Sequence, residues 1–199
     1  MWVLEELVGK VTLIYGIAGS GKTNLCLWTL ARGPGTGLYI STEGPVPLDL
    51  LSRYGLAEGN RLFVKEVFSV EDLAVELLEM YVSGSLSKFR GICIDSVNAH
   101  YRYEAIWRAD AGKLLNTALA ILSQIASSSD SYVLLTAQVR EEEGEEVPSG
   151  YEILEFWSDN VVKISRSGSK RVIEWLKPSF RRGWKATFTI SDRGVEFEL

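Results

Sequence analysis

One short segment limits what this chain can fold into more than any other part of it. Residues 16–23 read GIAGSGKT, three glycines in alternation with small or apolar residues and then a lysine and a threonine. An apolar run at residues 11–15 (VTLIY) precedes them and is typical of a strand buried on both faces. Residues 22–32 have the composition of a helix, which the Gly-Pro-Gly sequence at residues 33–35 would end. A glycine-rich loop between a buried strand and a helix predicts a Walker A phosphate-binding loop.

The chemistry of such a loop follows from its residue types. Glycines allow successive backbone N–H groups to face a phosphate, and the helix N-terminus adds partial positive charge. In this pattern Lys22 reaches the β- and γ-phosphates, and the Thr23 hydroxyl is a ligand of Mg²⁺. The predicted cofactors are therefore ATP and Mg²⁺. The predicted nucleotide-binding residues are Gly16, Ile17, Ala18, Gly19, Ser20, Gly21, Lys22, Thr23 and Asn24.

Three further polar residues fall at the carboxyl ends of predicted strands, where the ligand sites of open α/β sheets lie. Asp95 follows the apolar residues 91–94 and is predicted to hold Mg²⁺ directly or through water, the Walker B role. Glu43 follows the strand predicted at residues 37–42, from where a carboxylate could orient and deprotonate the attacking water. Gln138, at the end of the strand predicted at residues 132–139, could contact the γ-phosphate. Position alone leaves Glu43 equally open to being a solvated turn residue, and Gln138 to an ordinary strand-end hydrogen bond.

The order of the predicted elements indicates the fold class. Up to residue 139, buried strands alternate with helices, whereas short strands separated by tight turns follow. This order predicts an α/β fold, a mainly parallel sheet flanked by helices with an antiparallel C-terminal extension. The length of 199 residues fits one domain over residues 1–199. Further helices are predicted at residues 47–54, 70–82 and 113–127, and strands at residues 61–67, 89–96, 132–139, 160–166, 171–177, 185–191 and 195–199. In the helix at residues 70–82, we expect Leu73, Leu77, Leu78 and Tyr81 on one apolar face.

The composition excludes several classes of protein. Because the chain has one histidine and two cysteines, Cys26 and Cys93, a structural zinc site is not expected. Both thiols are predicted to be buried in the core of a protein that resides in a reducing compartment. No apolar run approaches the roughly 18 residues that a membrane span requires. The first ten residues lack the features of a signal peptide. We therefore expect a cytoplasmic protein that makes no contact with membranes.

The charge is unevenly distributed along the chain. The net charge of −5 argues against indiscriminate binding of nucleic acid. Residues 141–146 nevertheless contain five glutamates, and residues 163–185 contain eight basic residues against the single acidic Glu174. Such asymmetry is evidence about partners rather than about fold.

Several motifs beyond the glycine-rich loop make the chain similar to the RecA-like recombinases, in particular archaeal RadA and its smaller RadB-type paralogues. These motifs are STEG at residues 41–44, IDSVNAHYR at residues 94–102, TAQV at residues 136–139 and FTISDRGV at residues 188–195. They keep the order of the family and cover nearly the whole chain. The resemblance implies a RecA-type ATPase core in which Glu43 matches the catalytic glutamate and Gln138 matches the glutamine that senses the γ-phosphate.

The chain also departs from the pattern of this family. Ten residues precede the first predicted strand, so the family's N-terminal DNA-binding domain and its aromatic polymerisation motif are expected to be absent. Residues 45–50 (PVPLDL) replace an arginine-rich segment, part of which contacts adenine in the family. The loop predicted at residues 140–150 engages single-stranded DNA in strand-exchange relatives, but here its glutamates would repel phosphates. A solvated acidic turn, or a surface for a basic protein, is the alternative.

Aromatic and basic residues are interleaved between residues 101 and 108, which occupy the other DNA-facing loop of the family. Arg102, Tyr103, Trp107 and Arg108 are the candidate DNA contacts, because stacking on aromatic rings holds single strands without reading their sequence. Tyr103 and Trp107 are also spaced as neighbours on a helix, so packing against another element is the alternative. The basic strands after residue 163 are a second candidate DNA track, with a solvated sheet face as their alternative.

The resemblance therefore implies a weakly ATP-hydrolysing recombinase paralogue that modulates homologous recombination and DNA repair. Its expected partners are single-stranded DNA and a RadA-type recombinase or another paralogue, which would place it in the cytoplasm with the nucleoid. Two other functions stay open. One is a binding module that uses ATP as a structural ligand without turnover, and the other is a signalling ATPase similar to KaiC.

Overall fold

The computed structural model describes residues 2, 4–142 and 145–198, and within these residues ten strands belong to one hydrogen-bonded network. The strands are β1 (Val11–Gly16), β2 (Thr36–Ser41), β3 (Leu62–Glu66), β4 (Phe89–Asp95), β5 (Tyr132–Glu142), β6 (Glu145–Pro148), β7 (Asn160–Ser167), β8 (Lys170–Lys177), β9 (Lys185–Ser191) and β10 (Gly194–Phe197). The helices are α1 (Lys22–Arg32), α2 (Leu48–Arg53), α3 (Val70–Val82), α4 (Tyr101–Glu104), α5 (Ala111–Ser128) and α6 (Tyr151–Trp157).

Nine of these strands follow the order β3-β2-β4-β5-β1-β7-β8-β9-β10, and β6 pairs with β5 outside this order. Pairing is parallel from β3 to β7 and antiparallel from β7 to β10. This arrangement confirms the predicted fold class, a mainly parallel sheet with an antiparallel C-terminal extension. Because parallel strands have their carboxyl ends on the same side of the sheet, the segments that follow β1, β2 and β4 meet there, beside Gln138 of β5.

Helices cover both faces of the parallel part of the sheet, and this explains its continuous apolar strands. Alternate residues of one strand point to opposite faces, so Leu13 of β1 belongs to the core beneath α3 and α5, whereas Ile14 packs with α1. Both cysteines are fully buried free thiols, as predicted, in the core on the α1 face. All six residues of β1 are buried in consequence.

The helix α3 has the predicted bounds, and its start is set by Ser69, whose hydroxyl accepts a hydrogen bond from the backbone N–H of Asp72 at 2.9 Å. Leu73 and Leu77 are buried against the core, as predicted. The prediction was wrong for Leu78 and Tyr81, which are 47% and 41% exposed. The buried face follows positions 70, 73, 74, 77 and 80, and position 78 lies about 100° around the helix from position 77.

The largest departure from the sequence prediction is at residues 140–150, which were expected to form a loop. The strand β5 continues to Glu142 and pairs in antiparallel fashion with β6, so that Arg140 lies opposite Val147. Glutamate has a low preference for strands, and here backbone pairing outweighs that preference. The predicted acidic stretch also contains Glu143, which lies outside the described residues, as does Leu199 at the end of the last predicted strand.

Two short helices, α4 and α6, were not predicted, because four and seven residues are too few for a clear helical period. In the part of the chain that the structure describes, no helix is long and apolar enough to cross a membrane.

Candidate nucleotide-binding site

The glycine-rich loop connects β1 to α1, and two of its glycines have a clear steric reason. A Cβ atom at Gly16 would lie 2.2 Å from the carbonyl oxygen of Ile164 on β7. Gly21 has a φ of 101°, and a Cβ atom there would lie 2.8 Å from the Ile190 side chain on β9. The strands β7 and β9 therefore lie so close to the loop that larger residues at these two positions would clash with them.

Lys22 lies inside this loop. Its Nζ donates hydrogen bonds to the carbonyl oxygens of Gly16 at 2.8 Å and Ile17 at 2.9 Å. Burial lowers the pKa of the Lys22 ammonium group, and the carboxylates of Asp95 and Glu43 oppose that shift. An ammonium group carries three N–H bonds, so these two contacts do not use all of its donors. The loop thus holds a cation that can also bind an anion.

Asp95 is buried at the end of β4, where three hydroxyl groups from three different elements donate hydrogen bonds to its carboxylate. Thr23 of α1 donates at 2.6 Å, and Tyr39 of β2 and Thr136 of β5 also donate. A buried carboxylate requires such donors in place of water. Burial, together with the neighbouring Asp95 carboxylate, raises the pKa of the Tyr39 hydroxyl far above its ordinary value, so Tyr39 stays a donor at neutral pH.

The contact between Thr23 and Asp95 brings together the two predicted magnesium residues. A hydroxyl group that donates its proton to a carboxylate keeps its lone pairs for a cation, so the oxygen chemistry fits Mg²⁺. Among the described residues there is no cluster of three or more acidic, histidine or cysteine side chains that could hold a metal alone. A magnesium ion here would therefore need phosphate and water oxygens as further ligands.

Glu43 and Gln138, predicted separately, are in direct contact. The side-chain Nε2 of Gln138 donates to both carboxylate oxygens of Glu43, at 2.8 and 2.7 Å. The Ser96 hydroxyl donates to Glu43 Oε1 at 2.6 Å. Asn98 fixes the backbone of Gln138, since its side chain donates to the Gln138 carbonyl at 2.9 Å and accepts from the Gln138 N–H at 3.1 Å. Glu43, which follows β2, and Gln138, within β5, are thus bridged across β4.

Two cavities adjoin these groups. One of about 140 Å³ lies beside Thr23, Glu43 and Asp95. The other, of about 320 Å³, lies beside Gly19, Gly21 and Asn24 and is also lined by Arg171 and Ile190. The sequence did not single out either of these last two residues as part of the site. They come from the antiparallel strands, and no local pattern shows that those strands fold back onto the loop.

The candidate DNA contacts have different environments. Tyr103 and Trp107 are 59% and 72% exposed, so the alternative in which they pack against another element is wrong. Arg108 forms ion pairs with Glu71 and Asp110, both at 2.7 Å, which neutralise much of its charge. Arg102 is half-buried, and its guanidinium lies 4.5 Å from the centre of the Tyr103 ring. Whether these residues contact DNA stays a prediction.

Much of the positive charge after residue 163 is also paired within the chain. Lys163 bonds to Glu146 at 3.0 Å, and Lys170 bonds to Glu198 at 2.7 Å. Lys185 lies 3.5 Å from Glu174, and Arg181 pairs with Glu6. The positive charge available to bind DNA along these strands is therefore smaller than the sequence indicates.

Four polar residues around the carboxylates had no predicted role: Tyr39, Ser96, Asn98 and Thr136. One of them could have been found, because a tyrosine hydroxyl in a buried strand needs a hydrogen-bond partner. The other three lie within the motifs at residues 94–102 and 136–139, but their partners are distant in sequence.

Comparison with known proteins places this fold in a class. No family model matches the chain. A solved structure, "Crystal structure of the RadB recombinase", superposes with a TM-score of 0.79 at 24% identity and covers 97% of this chain and 92% of that one. The fold is therefore that of the RecA-like proteins.

Named relatives show which proteins of that class this chain resembles in sequence. The "DNA repair and recombination protein RadB" of Methanococcus maripaludis is 27% identical over an alignment of 212 positions, which covers 98% of this chain and 97% of the relative. The protein of the same name from Methanocaldococcus jannaschii is 27% identical over 202 positions, covering 94% and 93%. The chain is therefore similar to RadB proteins over nearly its full length, and this similarity supports a RadB-like paralogue of the RecA family.

The hydroxyl groups around Asp95 predict a difference between two buried tyrosines. Tyr39→Phe removes a donor to a buried carboxylate and should lower the free energy of unfolding by about 1.5–3 kcal/mol. Tyr132→Phe is the matched control, because the Tyr132 hydroxyl donates to a neutral carbonyl at 3.3 Å and should be worth about 1 kcal/mol or less. Urea unfolding of the two variants measures both values, and equal losses would contradict the special role of Tyr39.

Proposed function

We propose that this chain binds ATP with Mg²⁺ at the loop of residues 16–23, hydrolyses it slowly, and acts in homologous recombination and DNA repair. The observation that carries the proposal is the 2.6 Å contact between the Thr23 hydroxyl and the Asp95 carboxylate beside a glycine-rich loop that encloses the Lys22 ammonium group. In this proposal Lys22 and the loop N–H groups bind the phosphates, and Thr23 and Asp95 hold the metal.

When bound, Mg²⁺ would neutralise charge on the β- and γ-phosphates. Glu43 would accept a proton from the water that attacks the γ-phosphorus, and the bond to the bridging oxygen of ADP would break as the new P–O bond forms. Gln138 would contact the γ-phosphate, which requires its amide to leave Glu43. Because Glu43 already accepts hydrogen bonds from Gln138 and Ser96, we infer that turnover is slow.

The role in recombination is supported by the relatives, which are named as DNA repair and recombination proteins over nearly the full length of this chain. The exposed aromatic rings of Tyr103 and Trp107 support contact with single-stranded DNA, since each stacked base contributes about 1–3 kcal/mol. One continuous sheet joins the described strands, which supports treating them as one ATPase core. We propose a RadA-type recombinase or another paralogue as the protein partner.

A second function is favoured by one observation. The Glu43 carboxylate accepts hydrogen bonds from Gln138 and Ser96. A carboxylate engaged in this way also suits a protein that binds ATP without hydrolysing it. In that case ATP acts as a structural ligand or switch. The two functions differ in the effect of replacing Glu43.

Replacing Lys22 tests the nucleotide site. A ligand present at about 100 times its Kd stabilises a folded protein by about 2.7 kcal/mol, and Lys22→Ala should lose this stabilisation by Mg-ATP. Thermal unfolding with and without Mg-ATP measures the effect, and the value without nucleotide shows whether the fold is retained. Lys113→Ala, which removes an exposed lysine on α5, is the control. Undiminished stabilisation of Lys22→Ala by ATP would refute the site.

Replacing Glu43 tests hydrolysis. General base catalysis contributes about 10²- to 10⁴-fold, so Glu43→Gln should lower the rate of phosphate release at least about 100-fold while ATP binding is retained. The surface variant Glu58→Gln should behave as the wild type. If wild type and Glu43→Gln release phosphate at the same background rate, the chain is an ATP-binding module and the catalytic role of Glu43 is wrong.

The role in recombination is tested by co-purification. We expect the tagged chain to retain a RadA-type recombinase in the presence of Mg-ATP, and Lys22→Ala to retain much less. The same measurement with an added single-stranded oligonucleotide separates protein contact from contact through DNA. Failure to bind either the recombinase or the oligonucleotide, under conditions where ATP is bound, would reject this part of the proposal.

A further inference from the structure

Arg171, on β8, is a cation beside the glycine-rich loop that the proposed function does not yet use. Its side chain lines the cavity of about 320 Å³ together with Gly19, Gly21 and Lys22. Among the residues that the structure describes, it forms no ion pair with an acidic side chain. In this respect it differs from Lys170, its neighbour on the same strand, which pairs with a glutamate.

The hydrogen bonds of Arg171 leave part of its guanidinium without a partner. Its Nη1 donates to two neutral groups of its own hairpin, the carbonyl oxygens of Ser169 at 3.0 Å and Lys170 at 3.3 Å. Its Nε is buried, and no described residue accepts a hydrogen bond from it. A buried donor without an acceptor is unfavourable, so this nitrogen requires an acceptor that the described chain does not supply.

A second arginine makes the position more unfavourable still. Arg166 of β7 lies directly opposite Arg171 in the antiparallel pair. Like charges in that arrangement destabilise a sheet. Burial, together with the charge of Arg166, lowers the pKa of the Arg171 guanidinium. An anion bound by Arg171 would offset the repulsion and would also supply the missing acceptor.

The two cavities indicate which anion this is. The smaller one, beside Glu43 and Asp95, is where the proposed function places Mg²⁺ and the terminal phosphate. Thr23 lines both cavities, so a triphosphate that begins beside Asp95 continues past Thr23 into the larger one. The larger cavity would therefore receive the α-phosphate and the nucleoside. Its volume falls within the range of about 300–1,000 Å³ that is typical of sites for small molecules.

The other side chains of the larger cavity suit the same end of a nucleotide. The Tyr54 hydroxyl donates to Asn24 Oδ1 at 2.8 Å, so the acceptor of this amide is engaged and its Nδ2 remains a donor. Ile190 adds an apolar side chain. Two kinds of polar donor beside an apolar group fit a phosphate that is joined to a sugar and a base. An arginine binds phosphate best through two parallel N–H bonds, which Nε and one terminal nitrogen can provide.

We propose that Arg171 binds the α-phosphate of the nucleotide, the phosphate that is joined to the ribose, through its Nε and one terminal nitrogen. Because ATP and ADP share this phosphate, Arg171 contributes equally to the binding of both. The inference rests on the proposed ATP-binding function and adds to it a residue from the antiparallel part of the sheet.

The first test is equilibrium binding of Mg-ATP and of Mg-ADP to Arg171→Met. A hydrogen bond to a charged group is lost, so both Kd values should rise by about 10- to 100-fold and by the same factor. Arg171→Lys should recover part of the affinity, because an ammonium group keeps the charge but not the two parallel bonds. Lys170→Met is the matched control and should bind as the wild type does, since position 170 faces the other side of the strand. Unfolding without nucleotide shows whether each variant is folded.

The second test locates the contact on the nucleotide. ADPαS carries sulfur in place of one of the two non-bridging α-oxygens and exists as two isomers. The wild type should bind one isomer more tightly than the other, because only one of them keeps oxygen where Arg171 donates. Arg171→Met should bind the two isomers with nearly equal affinity.

Three results would overturn the proposal. Unchanged Kd values in Arg171→Met would show that the side chain makes no contact, and a loss for ATP alone would place it at the γ-phosphate. A preference between the ADPαS isomers that is absent from the wild type, or is unchanged in Arg171→Met, would exclude the α-phosphate. Failure of the proposed function gives a different pattern, in which the wild type binds neither nucleotide or Lys22→Ala binds both as tightly as the wild type.

Discussion

The buried carboxylate of Asp95 is the interaction on which the rest of the site depends. An ionised group removed from water requires hydrogen bonds to replace its hydration, and here hydroxyl groups from α1, β2 and β5 supply them. Because Thr23 is the second residue of α1, this arrangement also fixes the start of that helix, and with it the glycine-rich loop, against the strand ends. The distance between the loop and the sheet edge is thereby set by polar contacts at one point as well as by apolar packing along the helix.

The strand order then determines which other side chains meet at this edge. Since β4 lies between β2 and β5, the residues that follow β2 and the residues of β5 around Gln138 flank Asp95 from either side. Ser41 is level with Asp95, and Gly16 is level with Gln138. Glu43 and Gln138 can therefore bond to each other across β4 although they are 95 positions apart in sequence.

The parts that could be predicted from the sequence are those with a local cause. The helices α1 and α3 have the predicted bounds, since their caps and apolar periods are contained in the segments themselves. The glycine-rich loop and Asp95 could be located because each follows a buried strand. The contacts of Arg102 with Gln138, and of Arg171 with the space beside the loop, could not, because they depend on strand order and on side chains from distant elements. The β5–β6 pairing was missed for a different reason, since glutamates favour exposed turns and only the partner strand shows otherwise.

In the folded sheet, several basic residues after residue 163 are neutralised by acidic side chains that are distant in sequence. The acidic segment and the basic segment are separate in sequence, yet Glu146 of β6 bonds to Lys163 of β7, and three other cations after residue 163 also have acidic partners. Paired charges contribute little to binding a phosphate backbone, because binding would first have to separate them. The loop at residues 101–108 differs, since it offers exposed aromatic rings together with a guanidinium whose bonds are to neutral groups. The proposed contact with single-stranded DNA therefore fits this loop better than it fits the basic strands after residue 163.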